Sequence, residues 1–355
     1  MGIKVKKTAQ QLIDDIFKPK GVTFQKCIES AALIYLEDKN YYYKFASYRH
    51  NFHKDVQGKY LSLDFGDLIE ISKLDKRIRF ILLKMCLEIE HSVKTNLLKN
   101  ISYNDDVDGY QIVEDFICYY NSKTNSTITK SEIIKRGINP SSSAHQLFMK
   151  LKNDEDIAIW QLVEFLYVSE LPYLFEYYYH KYPISFLNFI NDHHMDFPKS
   201  LRKEPINYQA IKAYVKKFRT LFKNANAVRN NSAHNNALLI CLNTKPQDAI
   251  QIRDHSGKLY VNDRYNNYYL RRHFKKLTLD LNIQASYRFL DLASVIKLYD
   301  LFCITRNDYT VTELLTVLNE APSFFTEYHN ELAPFMKNLT NFANEVFKQT
   351  VESSR

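Results

Sequence analysis

The stretch from 66 to 99 constrains the fold most. Ile78, Ile81, Leu82, Met85, Ile89 and Val93 recur there at steps of three and four, which puts them on one stripe of an α-helix. Glu88, Glu90, His91 and Lys94 leave that stripe, as a polar helix face requires. The chain as a whole agrees with this reading. It has only 7 Gly and 9 Pro in 355 residues, too few tight turns for a fold of many short strands. Its 26 Tyr and 23 Phe mostly fill a core, and a minority could serve as platforms for stacked bases. The expected class is all-α.

Residues 1–19 read as an N-terminal arm that closes at Lys18-Pro19-Lys20. Helical spacing follows over 24–37, and "NYYYKFASYRHNF" (40–52) adds an aromatic cluster. "DVQGKYLSLDF" (55–65) reads as a loop with a short extended piece. A helix is expected at 110–120 between polar loops. "GINPSSS" (137–143) is the clearest linker. Residues 156–190 are helical and aromatic, broken near Pro172 and Pro183. One long helix or a helix pair fills 206–242. "IQIRDHSGKLYV" (250–261) alternates around Ser256-Gly257, the pattern of a β-hairpin. Helices are expected again at 264–279, 284–304, 310–320 and 332–352. The organisation is an arm, a main helical domain over 20–242, and a C-terminal hairpin plus helical extension over 243–355 packed on it.

Several function classes are disfavoured. Cys27, Cys86, Cys118, Cys241 and Cys303 are odd in number and contain no CxxC pair, so reduced, buried, cytosolic thiols are expected. The N-terminal MGIKVKKTAQQLIDD has no apolar core of a signal peptide. The most apolar stretch, 157–190, is interrupted by Glu164, Glu170, Glu176 and Lys181, so no membrane span is expected. The nearest approach to a metal set, Asp192, His193, His194 and Asp196, has adjacent histidines in a loop and is a poor ligand geometry. No cofactor is expected, and the location is expected to be cytoplasmic.

Charge is unevenly placed. From Lys199 to Lys276 there are seventeen Lys or Arg against four acids, a net +13, while the whole chain carries +8, so the remainder carries −5. Such a field suits a polyanion, although a solvated helix face gives the same pattern. At its centre stands "VRNNSAHNNALLI" (228–240). The bare spacing of Arg229 and His234 is expected about once by chance from 14 Arg and 11 His. Its context says more. Val215, Phe218, Phe222, Ala225 and Val228 form an apolar stripe that runs straight into Asn224, Asn226, Asn230, Asn231, Asn235 and Asn236. Asn is a poor helix former, and local rules are most often broken where function demands it. Asn226, Asn230 and His234 stack on one helical face, with Arg229 about 140° round from His234. The competing reading is an Asn-rich loop with a merely hydrogen-bonded His234.

The chemistry open to this set is specific. Attack of a 2′-hydroxyl on the adjacent phosphorus needs a base, an acid for the leaving 5′-oxygen, and a cation for the phosphorane. His234 can take either proton-transfer role, and Arg229 suits the phosphorane. Asn230 can orient a phosphate oxygen. No metal is required for that route.

"RNNSAHN" (229–235) resembles the R-x4-6-H signature of HEPN-superfamily ribonucleases. The wider chain is similar to bacterial abortive-infection proteins of the AbiD/AbiF type. The supporting segments are "KGVTF" (20–24), "YYYKFASYRHNF" (41–52) and 60–98, over a total of roughly 20–242. The resemblance implies an all-α, HEPN-like bundle, with Arg and His from one helix and two such helices facing across a dimer cleft. Asp75, Arg77 and Glu90 fill the places of an Asp–basic turn and a helix-borne Glu. Glu90 joins the site only if the first long helix packs beside the motif helix. The Asn-rich run after His234 and the long tail depart from the family pattern.

The expected function is therefore a metal-independent endoribonuclease of phage defence. Arg229, His234 and Asn230 are its expected catalytic set, with Glu90 as a further candidate. Lys212, Lys216, Lys217, Arg219, Lys223, Arg271, Arg272, Lys275 and Lys276 are expected to hold the RNA backbone. The expected partners are an RNA substrate, a second copy of the chain, and a structured regulatory RNA. The alternative is a non-catalytic RNA-binding sensor of the same fold. A helical scaffold that meets an acidic protein is a third.

Overall fold

The structure is a computed structural model that describes residues 6–39, 42–151, 157–192, 205–240, 242, 251–253, 259–261, 270, 286–303, 309–321 and 332–353. Eight helices of ten or more residues stand among them: α1 (Phe65–Ser102), α2 (Gln111–Thr124), α3 (Leu171–Lys181), α4 (Pro183–Asp192), α5 (Tyr208–Ala233), α6 (Tyr287–Phe302), α7 (Tyr309–Glu320) and α8 (Leu332–Ser353). The fold is all-α. One two-stranded ribbon accompanies it, β1 (Gln251–Arg253) against β2 (Leu259–Val261), antiparallel with Ile252 opposite Tyr260. The hairpin read from the alternation is therefore present; its Ser256-Gly257 turn lies outside the described residues, as do 264–269, 271–285 and the Asp192-to-Asp196 loop beyond Asp192.

Helix α1 starts where its sequence says it should. Asp64 caps it by accepting from Gly66 N at 2.8 Å, and Asp67 reciprocates by accepting from Asp64 N at 3.0 Å. The same Asp64 carboxylate accepts from Thr23 Oγ1 and Gln25 N, so the cap also docks the "KGVTF" strip against α1. The periodic stripe Ile78 to Val93 is buried throughout.

Helix α5 packs against α1, α3 and α6. Its predicted stripe, Val215, Phe218, Phe222, Ala225 and Val228, is buried as read. Asn224 is buried too, and donates to Ser294 Oγ on α6 at 3.0 Å. A buried amide with a partner is tolerable, whereas an unpaired one is not. Helix α6 buries residues on nearly every side. Leu290, Leu292, Val295, Ile296 and Leu298 are all buried, because α6 is enclosed by α1, α5 and α8.

Three expectations need correction. The segment 137–143 is not a bare linker, because Gly137 is wedged against Phe148 and Phe165; a Cβ there would lie 2.7 Å from each. Cys118 is exposed, whereas Cys86 is buried as expected; Cys241 lies outside the described residues. The motif helix stops at Ala233 and does not run on to 242. Ala237, Leu238, Leu239 and Leu242 are buried all the same, as non-helical chain returning into the core.

Candidate functional site

The end of α5 is a Schellman-type turn with Asn in the place glycine usually takes. Asn235 adopts φ 57°, and Asn235 N donates to Ser232 O at 3.1 Å while Asn236 N donates to Asn231 O at 2.8 Å. Asn tolerates this left-handed backbone better than other non-glycine residues do. Its side chain adds a second reason. Asn235 Oδ1 accepts from Lys44 Nζ at 2.9 Å and from Arg79.

A buried network holds the rest of the turn. Asp75, fully buried, accepts from Leu238 N and Leu239 N at 2.7 Å each, from Tyr48 Oη at 2.9 Å and from Arg79 Nε at 2.7 Å. Asn51 Nδ2 donates to Leu239 O at 2.7 Å. The basic partner of Asp75 is thus Arg79, one turn on. Arg77, expected in that place, is exposed and pairs with Glu320 instead. Sequence reading missed Lys44, Asn51 and Arg79 as supports of the motif. Their signal was present only as the polar residues inside the aromatic strip at 41–52 and the stripe of α1.

On this platform sit exposed Asn230, His234, Asn235 and Asn236, with Asn231 half-buried. His234 is the cap residue of α5, its N–H bonded to Asn230 O at 3.0 Å. Arg229 lies elsewhere. Its side chain faces a cleft between α5, α1 and the start of α3, shared with Cys86, Glu90, Asn226 and Pro172. Helix α1 therefore does pack beside the motif helix and brings Glu90 to Arg229. The two are not bonded to each other: Glu90 pairs with Lys94 at 3.1 Å, and Arg229 Nη1 donates to Asn230 Oδ1 at 3.3 Å. Arg229 Nε is buried without a hydrogen-bond partner among the described residues. Burial pushes the Cys86 thiol up to about 12, with the Arg229 charge pulling the other way.

The cleft holds about 20 Å³, enough for a water and far too little for a nucleotide. His234 is not among its lining residues. Within one chain the structure joins Arg229 with Glu90 and leaves the imidazole outside.

The expected basic belt is only partly free. Lys216 and Lys223 are exposed, seven residues apart, and Asn230 follows after another seven with His234 four beyond. By helical geometry these lie on one face, about 10 Å per step of seven. Lys223 Nζ also lies 5.9 Å from the Tyr173 ring. Lys212 is half-buried, and its carbonyl accepts from His180 Nε2 at 3.1 Å. Lys217 is half-buried over the Tyr214 ring. Arg219 turns inward to an ion pair with Glu176 at 3.1 Å, where Glu176 is 2% exposed, and is not free to hold a phosphate backbone. Arg271, Arg272, Lys275 and Lys276 lie outside the described residues. Among the described residues there is no cluster of three or more potential metal ligands, and no helix is long and apolar enough to cross a membrane.

An all-helical bundle that carries an Arg-Asn-x-x-Ala-His-Asn turn on a buried ionic platform is the class defined here. The sequence profile described as "Abi-like protein" matches residues 35–239, more than half of the chain, and the chain belongs to that family. The match takes in the Tyr42–Asn51 strip, α1 and all of α5 with its turn, and ends at Leu239. Membership supports a role in abortive infection, the phage-defence response. No curated protein and no solved structure matches the chain.

Proposed function

We propose that this protein is a metal-independent endoribonuclease of phage defence, a HEPN-type member of the abortive-infection group close to AbiD/AbiF. The observation that carries the reading is the platform under His234. Asp75, Arg79, Lys44 and Asn51 are buried polar groups, which is expensive unless each is paired. What they hold in place is a surface turn whose exposed side chains are His234 and its Asn neighbours. Rigid support of that kind suits a group that must meet a scissile phosphate at fixed geometry.

In this reading His234 transfers the proton at the 2′-hydroxyl or the leaving 5′-oxygen. Asn230 orients a phosphate oxygen. Arg229 reaches the phosphorane over its outer edge, beside Asn230, since its inner edge faces a cleft too small for a nucleotide. Because Arg229 and His234 lie about 140° apart on the helix, a second chain completes the site: the His234 of one protomer meets the Arg229 of its partner. Lys216 and Lys223 lead the RNA backbone along α5 to that point. Glu90 serves to set the Arg229 side chain. Cleavage leaves a 2′,3′-cyclic phosphate and a 5′-hydroxyl, and takes place in the cytoplasm.

The test is purified protein with RNA in excess EDTA. Cleavage persists in chelator, and His234→Ala and Arg229→Ala each abolish it. Loss of cleavage in EDTA, or a His234→Ala protein that cuts at the native rate, ends this mechanism. The separation of Arg229 from His234 within one chain favours a second reading, an RNA-binding regulator that does not cut. Growth arrest on expression that Arg229→Ala leaves intact supports that one.

A further inference from the structure

Beside the turn lies a second cavity, of about 410 Å³, and Arg229 is not among its lining residues. That size is in the range of small-molecule sites. Lys44, Arg49, His50 and Arg288 line it together with Tyr42 and Tyr43, and no carboxylate is among its lining residues. The Asn231 and Asn236 side chains, bonded to each other at 3.3 Å, form its edge towards the motif.

Lys44 donates to Asn235, but the other basic side chains there are short of partners. Arg288, in the first turn of α6, has no hydrogen bond or ion pair among the described residues, and neither does His50. Arg49 donates one nitrogen to Tyr42 Oη at 3.2 Å, while its Nε is buried with no partner. His50 titrates below its ordinary value because of burial and the charges of Arg49, Lys54 and Lys20. Two guanidinium groups and an ammonium around a roomy cavity with no carboxylate in its lining attract an anion. Guanidinium groups match phosphate oxygens in a planar fork.

The aromatic rings narrow the class. Tyr42 lies under the Arg49 guanidinium at 6.0 Å, and Tyr43 stands at the rim with 85% of its surface exposed. An exposed ring beside a phosphate site is a platform on which a base can stack. A bare phosphate would leave both the ring and most of the volume unused.

We infer that this cavity binds a nucleoside phosphate, with Arg288, Arg49 and His50 on the phosphate and Tyr43 on the base. The ligand then touches Asn231 and Asn236, the residues that bracket His234 and Asn235, so occupancy bears directly on the motif turn. The inference does not depend on RNA cleavage, and its readout is binding alone. Two sources share this chemistry: a free nucleotide and the phosphorylated terminus of an RNA.

The experiment is isothermal titration of the full chain with adenosine 5′-monophosphate, adenosine, inorganic phosphate and a 5′-phosphorylated triadenylate. The monophosphate binds at least about tenfold tighter than adenosine and than inorganic phosphate. Arg288→Ala and, as an exposed second variant, His50→Ala each weaken it at least about threefold with an unchanged circular dichroism spectrum. Monophosphate binding no tighter than adenosine, or matched by inorganic phosphate, overturns the inference without needing any variant. So does native affinity in both variants. A triadenylate that binds more tightly than the monophosphate supports the inference with an RNA terminus as the source; the reverse order supports it with a free nucleotide.

Discussion

Asp75 and Arg79 form an ion pair at 2.7 Å one helical turn apart, with side chains 0% and 5% exposed. Neither residue is near solvent, yet both reach the motif. Asp75 binds the amides of Leu238 and Leu239, and Arg79 binds Asn235. The pair therefore couples the long first helix to the turn that presents His234.

Asp75→Asn tests that coupling. It removes the charge that balances buried Arg79 and weakens the acceptor for two amides. The expected loss of unfolding free energy is about 3–5 kcal/mol, the usual result of stripping one partner from a buried pair. Urea denaturation followed by circular dichroism measures it. A loss below about 1 kcal/mol would show the pair to be incidental.

Asn235 carries a backbone role and a side-chain role, and two variants separate them. Asn235→Gly keeps the left-handed turn and loses the acceptor shared by Lys44 and Arg79, at a cost of about 1–2 kcal/mol. Asn235→Ala also meets the left-handed penalty, about 1 kcal/mol more. Equal stability of the two variants in thermal unfolding would contradict the strained-turn account.

Lys44 gives a pH signature. Burial and the Arg79 charge lower its ammonium from 10.5 to about 8. The unfolded chain then holds a proton that the folded chain has lost between pH 8 and 10.5. Unfolding free energy attributable to Lys44 therefore rises with pH across that window and is lost again as pH falls through about 8. The expected gain is roughly 2 kcal/mol, seen as the native protein minus Lys44→Met in denaturation at pH 7.5 and pH 10. A difference that stays flat with pH would place the Lys44 ammonium in an ordinary environment.

The belt on α5 divides by salt. Replacement of Lys216 and Lys223 by Gln lowers the dependence of RNA affinity on salt by about 0.7–1 for each phosphate no longer neutralised. Arg219→Gln leaves that slope unchanged and instead destabilises the fold by about 3 kcal/mol, since Glu176 is left buried without its cation. Filter binding at several salt concentrations, beside denaturation of the same proteins, reads both effects.

The helical class was legible because α1 and α5 carry unbroken apolar stripes, which register nothing but local geometry. The breaks near Pro172 and Pro183 were legible for the same reason. The end of α5 was not. Leu238, Leu239 and Leu242 continue the apolar look of a helix, and only bonds from residues far along the chain, Asp75 and Asn51, hold them in a non-helical bend. Arg77 stood in for Arg79 because a spacing cannot say which of two nearby basic residues faces inward. Cys118 misled in the same way, with apolar neighbours Phe116 and Ile117 that point to other faces of α2 and are themselves buried. The Arg229 and His234 pair and their separation of about 140° round one helix were readable from spacing, while the turn of Arg229 into a cleft beside Glu90 needed the packing of α1.

Helix α6 has one consequence for how the protein is made. As the chain leaves the ribosome, α5 emerges after α1 and α3 but before α6, the third helix against which it packs, and Asn224 waits for Ser294. Until synthesis passes Phe302, α5 can lean only on α1 and α3, and the side that takes α6 stands open. The core around Asn224 thus closes only when α6 arrives, which makes the order of synthesis and the order of packing the same along α1, α3, α5 and α6.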